Sequence, residues 1–127
     1  MRFTQDSSSA TTLIRAYRPG ELRINDDIYS ETVMVSASDV VTLPEVRDVN
    51  DLSRLDVSRV LAQKPELVLL GTGPAQIFPA AAFRAEFLRA GIGFEVMDTG
   101  AACRTFNVLV AEHRQVVALL VVQKSAE

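Results

Sequence analysis

A chain of 127 residues with 48% apolar content is long enough for one domain around one core, and too apolar to be disordered by composition. Its formal net charge of −3 excludes a basic surface that would hold nucleic acid by bulk attraction. A single cysteine, Cys103, excludes an internal disulfide and a cysteine-rich zinc site, and fits a reducing compartment.

The start, MRFTQDSSSATT, has neither the apolar run of a signal peptide nor the repeated arginines of a transit peptide. The longest apolar run, Val116 to Val122, is too short to span a bilayer. The expectation is a soluble cytoplasmic protein with a loose polar end over residues 1–11 and a single α/β domain over 12–127.

Leu13 to Tyr17 mixes apolar and polar residues as a half-buried strand does. Pro19-Gly20 suits the centre of a type II turn, and Leu22 and Ile24 stand two apart on a short second strand. Asn25-Asp26-Asp27 signals another turn. Ile28 to Ser36 then reads as a third strand, with Tyr29, Val33 and Val35 on one face and Ser30, Thr32 and Ser36 on a wet one. The result is an N-terminal antiparallel meander.

After Pro44 the pattern changes. Asn50 or Asp51 is expected to cap a short helical turn, and Asp56 another, with Val57, Val60 and Leu61 on one side. Pro65 closes that segment, and Leu67 to Leu70, apolar throughout, reads as a strand covered on both faces. Pro79 is expected to open a helix with the stripe Ala80, Phe83, Phe87 and Leu88, stopped at Gly91. Phe94 and Val96 mark a strand, Asp98 or Thr99 caps a last helix running to about His113, and Val116 to Val122 is the final strand. Helices between strands imply crossovers and parallel pairing. The residues therefore predict a mixed sheet with helices on one or both faces.

The junction LVLLGTG raises the question of a nucleotide. A dinucleotide fingerprint wants glycine at its first, third and sixth positions; Gly71 and Gly73 fit, but Gln76 holds the sixth place and Pro74 lacks an N–H. GTGPAQIF also has no Walker lysine. A carboxylate about 20 residues on would fall near Glu95 or Asp98, but the glycine pattern has already failed. A strand ending in a turn with positive φ covers the observation. Strands ending at Gly71 and Met97 would bring their following loops together, at the edge where α/β folds carry sites. Gly71, Thr72, Gly73, Asp98, Thr99, Gly100, Cys103, Arg104, Thr105 and Asn107 are then candidates to line a pocket for a small anion or carboxylate. The plainer alternative is that Thr99 only caps its helix and Arg104 only reaches solvent.

On a helical wheel Ala102, Cys103, Phe106, Leu109, Val110 and His113 share the core face, so Cys103 reads as buried. Arg104, Val108 and Ala111 lie opposite and are candidates for a partner face. Cys103 and His113 are ten residues apart on one helix, roughly 15 Å, which excludes a catalytic pair within the chain. There is no HExxH and no GxSxG, and caps explain two of Asp48, Asp51 and Asp56. No catalytic residue, metal site or cofactor is assigned.

LVLLGTG, GIGFEVMDTGAACRTFNVL and the closing apolar strand resemble a domain-of-unknown-function family that includes mitochondrial respiratory complex I assembly factor 3 and its bacterial and archaeal relatives. The resemblance covers nearly the whole chain, more loosely over Thr12 to Asp39, and MDTGAACRTFN is its more specific part. It implies a three-layer α/β fold with a central mixed β-sheet and flanking helices. Its mitochondrial members act as non-enzymatic assembly partners, and Gly71, Gly73, Thr99, Ala102, Cys103, Thr105 and Asn107 occupy the motif positions as pocket or core residues. Two functions stay open: a binding or assembly protein of a bacterial cytoplasm using the last helix, and a small-molecule binder or enzyme with a cleft between the Gly71 and Thr99 loops.

Overall fold

A computed structural model describes residues 11–123. Ten of the eleven residues expected to form the loose end, and residues 124–127 of the expected domain, lie outside the described residues. β1 (Ile14–Arg18), β2 (Glu21–Ile24) and β3 (Asp27–Tyr29) form an antiparallel sheet in that order. Pro19-Gly20 joins β1 to β2 with Gly20 at φ +91°, as the third position of a type II turn requires. A register shift between Ile14 and Ala16 marks a bulge. The extra residue lets Ile14 and Tyr17, three apart, both turn inward beside Leu22 and Ile24.

The larger sheet holds β4 (Val33–Val35), β5 (Val40–Thr42), β6 (Leu67–Gly71), β7 (Gly93–Met97) and β8 (Val116–Leu120), in the order β5-β4-β8-β6-β7. β6 runs parallel to β7 and β8, while β4 runs antiparallel to β8 and β5. Helices α2 (Ala81–Arg89) and α3 (Thr99–Ala111) are the crossovers. One face of this sheet packs on α3 and the small sheet through Leu69, Ala118, Leu120, Phe106 and Leu22. The other packs on α2, α1 (Val57–Leu61) and the 3-10 helix Val49–Arg54 through Val68, Leu70, Val117, Leu119, Phe87 and Leu52. Both faces are therefore dry, which is why β6 and β8 are apolar without alternation. The fold is a three-layer α/β arrangement.

The strand expected over Ile28 to Ser36 is two strands in two different sheets, broken at Ser30–Thr32. The inward alternation of Tyr29, Val33 and Val35 survives the break because both sheets pack on one core. Its opposite face is not wet at Thr32, which is buried and donates from Oγ1 to Gln123 Oε1 at 2.7 Å. β5 was not anticipated, since three residues give too short a pattern. The cap of the 3-10 helix is Asp48, whose carboxylate accepts from the Asn50 N–H, and not Asn50 or Asp51; Asp51 instead accepts from the Arg47 N–H at 2.9 Å. Asp56 caps α1, as expected. α2 begins at Ala81, two residues after Pro79, and Leu88 is 52% exposed because only Phe83 and Phe87 reach the sheet. α3 ends at Ala111, and His113, at φ +63°, is exposed beyond it rather than on the core face.

Candidate functional site

The ends of β6 and β7 are adjacent in register, Gly71 beside Met97, so the loops that follow meet. Asp98 starts α3, accepting from the Ala101 N–H at 2.8 Å. Thr99, fully buried, joins three segments. Its N–H donates to the Gly73 carbonyl at 2.8 Å. Its Oγ1 accepts from the Gly73 N–H at 2.7 Å and donates to the Val121 carbonyl at 2.8 Å.

Thr72 is buried too, its N–H donating to the Met97 carbonyl at 3.0 Å and its hydroxyl accepting from the Ile77 N–H at 3.0 Å. A Cβ on Gly71 would stand 2.9 Å from the Thr99 Cα, so glycine is required there by close approach. Gly73 supplies the positive φ, +97°. Gln76 reaches the exposed edge of β7, where Nε2 donates to the Val96 carbonyl at 3.0 Å. The N–H groups of Thr72, Gly73 and Ile77 are thus committed to protein acceptors, and a phosphate cradle needs such donors free.

The rest of the candidate set lies on the other side of α3's first turns. Gly100, Cys103, Arg104 and Asn107 line a concavity of about 210 Å³, with Ile14, Arg15, Ala16 and Tyr17 of β1 as its other wall. Asn107 holds that wall in place: Oδ1 accepts from the Ile14 N–H at 3.0 Å and Nδ2 donates to the Ile14 carbonyl at 2.8 Å, as a neighbouring strand would. Thr105 turns elsewhere, donating to Met97 Sδ at 3.7 Å. Arg104 is exposed and folds back over Gly100, Nη1 standing 3.5 Å from where a Gly100 Cβ would be. Val108 and Ala111 are exposed farther along the helix.

Burial pushes the Cys103 thiol up to about 12; the Arg104 charge opposes this and Asp98 adds to it. The thiol is neutral at physiological pH and is not an activated nucleophile. Tyr17 is also raised, chiefly by burial of its hydroxyl; a contact with the Thr99 side chain opposes this, and Cys103 and Asp98 add to it. That hydroxyl is buried beside the Thr99 side chain, without a hydrogen bond of good geometry. The neighbouring Thr99 hydroxyl is spent on Gly73 and Val121. Arg15 and Tyr17 went unnoticed in the sequence because only the packing of β1 on α3 brings them to this place.

A larger and more apolar groove of about 280 Å³ lies between the 3-10 helix and the start of α2, lined by Val49, Leu52, Leu55, Phe78, Phe83 and Glu86 among others. Phe78 at its rim is 67% exposed, and Ile77 before it 51%. Among the described residues, no group of three or more His, Cys, Asp or Glu side chains is placed to hold a metal ion, and no helix is long and apolar enough to cross a membrane.

The chain is 26% identical over 122 residues to the 13 kDa major membrane protein of Francisella tularensis subsp. holarctica, covering 95% of this chain and 99% of that one. It is 32% identical over 124 residues to NADH dehydrogenase (ubiquinone) 1 alpha subcomplex assembly factor 3 of Danio rerio, covering 92% of this chain and 68% of that one. Among solved structures, an outer membrane protein from Bartonella henselae superposes with a TM-score of 0.80 at 32% identity, over 91% of this chain and 98% of that one. Residues 14–121 match the family described as protein of unknown function (DUF498/DUF598). A match over most of the chain means that this protein belongs to that DUF498/DUF598 family.

Proposed function

We infer that this protein works by binding another protein, without chemistry of its own, in the manner of an assembly factor. The observation that carries this reading is the apolar surface at the start of α2. Phe78, 67% exposed, lines the groove with Phe83, Leu52 and Leu55, and Ile77, 51% exposed, precedes it in the chain. Adjacent large apolar side chains beside an apolar groove fit an anchor and its socket, and aromatic anchors dominate the energetics of interfaces. The Danio rerio relative is named an assembly factor, which supports this reading. The outer face of α3, with Arg104, Val108 and Ala111, is a second and smaller candidate surface; Val108 is 56% exposed. The neutral, buried Cys103 gives that helix no nucleophile.

The compartment that goes with this reading is a bacterial cytoplasm, where Cys103 stays reduced. The Francisella and Bartonella relatives carry membrane names, so cell fractionation is the check. Recovery with the membrane pellet after a high-salt wash would refute the cytoplasmic assignment.

Affinity capture from the native cell tests the binding surface with three variants. Phe78→Asp should lose a partner that wild type retains. Val108→Glu reports on α3, and Ile28→Glu, at an exposed residue of the small sheet, is the control. A partner retained by Phe78→Asp and lost with Val108→Glu would move the interface to α3. Identical recoveries from all four proteins would refute both surfaces.

A further inference from the structure

We propose that the concavity between β1 and the first turns of α3 binds a small molecule carrying an oxyanion, a carboxylate or a phosphate. Arg15 lines it from the strand and Arg104 from the helix. Among the described residues neither is in an ion pair, a state they share with Arg23, Arg47 and Arg84, but those three do not line this space. No carboxylate lines the space. The Asp98 carboxylate is close by, its Oδ1 3.4 Å from where a Gly100 Cβ would be, and it accepts from the Ala101 N–H at 2.8 Å. Two guanidinium groups line one concavity in a chain of net charge −3. Planar forks of this kind match the geometry of carboxylate and phosphate oxygens.

A second observation is independent of the arginines. The Tyr17 ring borders the same space, its Cδ2 standing 3.8 Å from where a Gly100 Cβ would be, with Arg104 Nη1 3.5 Å from that point. Its hydroxyl points away from solvent and lies against the Thr99 side chain, so the ring, not the hydroxyl, faces the concavity. The volume, about 210 Å³, falls below the range of sites for drug-sized ligands, which favours a small anion over a nucleotide. This inference does not rest on the protein-binding reading. Only Arg104 is shared between the two surfaces, so Arg15 and Tyr17 separate them.

The protein has no tryptophan and two tyrosines, so Tyr29→Phe leaves Tyr17 as its sole emitter. In that background, inorganic phosphate and malonate are titrated separately at ionic strength held constant with sodium chloride, reading tyrosine emission. At least one probe should give a saturable change, and the tighter probe tells a phosphate site from a carboxylate site. Arg15→Gln and Arg104→Gln should each weaken the midpoint tenfold or more. Arg84→Gln, an exposed arginine on α2 without an ion pair among the described residues, should leave it unchanged. Both site arginines are exposed, and circular dichroism checks that each variant is folded. No saturable response to either probe, or a response that survives either site substitution, overturns the proposal.

Discussion

Gly71 lies so close to Thr99 that any Cβ at residue 71 would stand 2.9 Å from the Thr99 Cα and 3.0 Å from Leu120 Cδ2. The contact is with backbone at the start of α3, which cannot swing aside. Gly71→Ala should therefore destabilise the fold by about 1–3 kcal/mol through overpacking, measured by urea unfolding. An unchanged midpoint would mean that α3 does not sit where it is described.

The Thr99 hydroxyl is shared between Gly73 and Val121, both out of reach of water at this point. Thr99→Val keeps the shape and strands one buried donor and one buried acceptor, at a cost of about 1–3 kcal/mol for each unsatisfied group. Thr99→Ser keeps the oxygen and should lose much less. Equal losses in the two variants would show that the methyl group, not the hydroxyl, matters.

Asn107 gives β1 the paired hydrogen bonds of a neighbouring strand at Ile14. Asn107→Ala should release that edge, seen as faster hydrogen exchange at the Ile14 amide while β6 and β8 amides keep their protection. Loss of protection throughout would point to global destabilisation instead.

The Cys103 thiol, pushed up to about 12, also makes a pH prediction. In the unfolded chain a thiol ionises near about 8.5. Its contribution to stability is therefore complete below that pH and is lost as pH rises from there toward 12. The stability difference between wild type and Cys103→Ala should narrow over that window, measured by unfolding at a series of alkaline pH values. A difference that stays flat would mean the thiol is not desolvated. Alkylation by iodoacetamide at neutral pH should be slow for the same reason.

Much of the fold was legible because its signals are local. The uninterrupted apolar residues of Leu67–Leu70 and Val116–Leu120 do mark strands buried on both faces, and Asp56 caps its helix as its type suggests. What was missed depends on distant partners. Nothing between Ile28 and Ser36 says that Ser30–Thr32 carries the chain from one sheet to another, because the inward alternation continues across the break. His113 followed the wheel in the sequence, yet the helix stops two residues before it and the chain turns at positive φ. The candidate site splits for the same reason. Its residues were drawn from two loops, but α3 stands between them. Gly71, Thr72, Gly73 and Thr99 are spent on one another, while Gly100, Cys103, Arg104 and Asn107 face β1, where Arg15 and Tyr17 wait out of sight of any local pattern.

The most direct test of the protein-binding reading is hydrogen exchange on the purified complex with a captured partner, compared with the protein alone. The expected result is added protection at the amides of Ile77 to Phe83 and of the 3-10 helix Val49–Arg54, with no change at Arg15 to Arg18. Protection confined to β1, or none beside the groove, would contradict it.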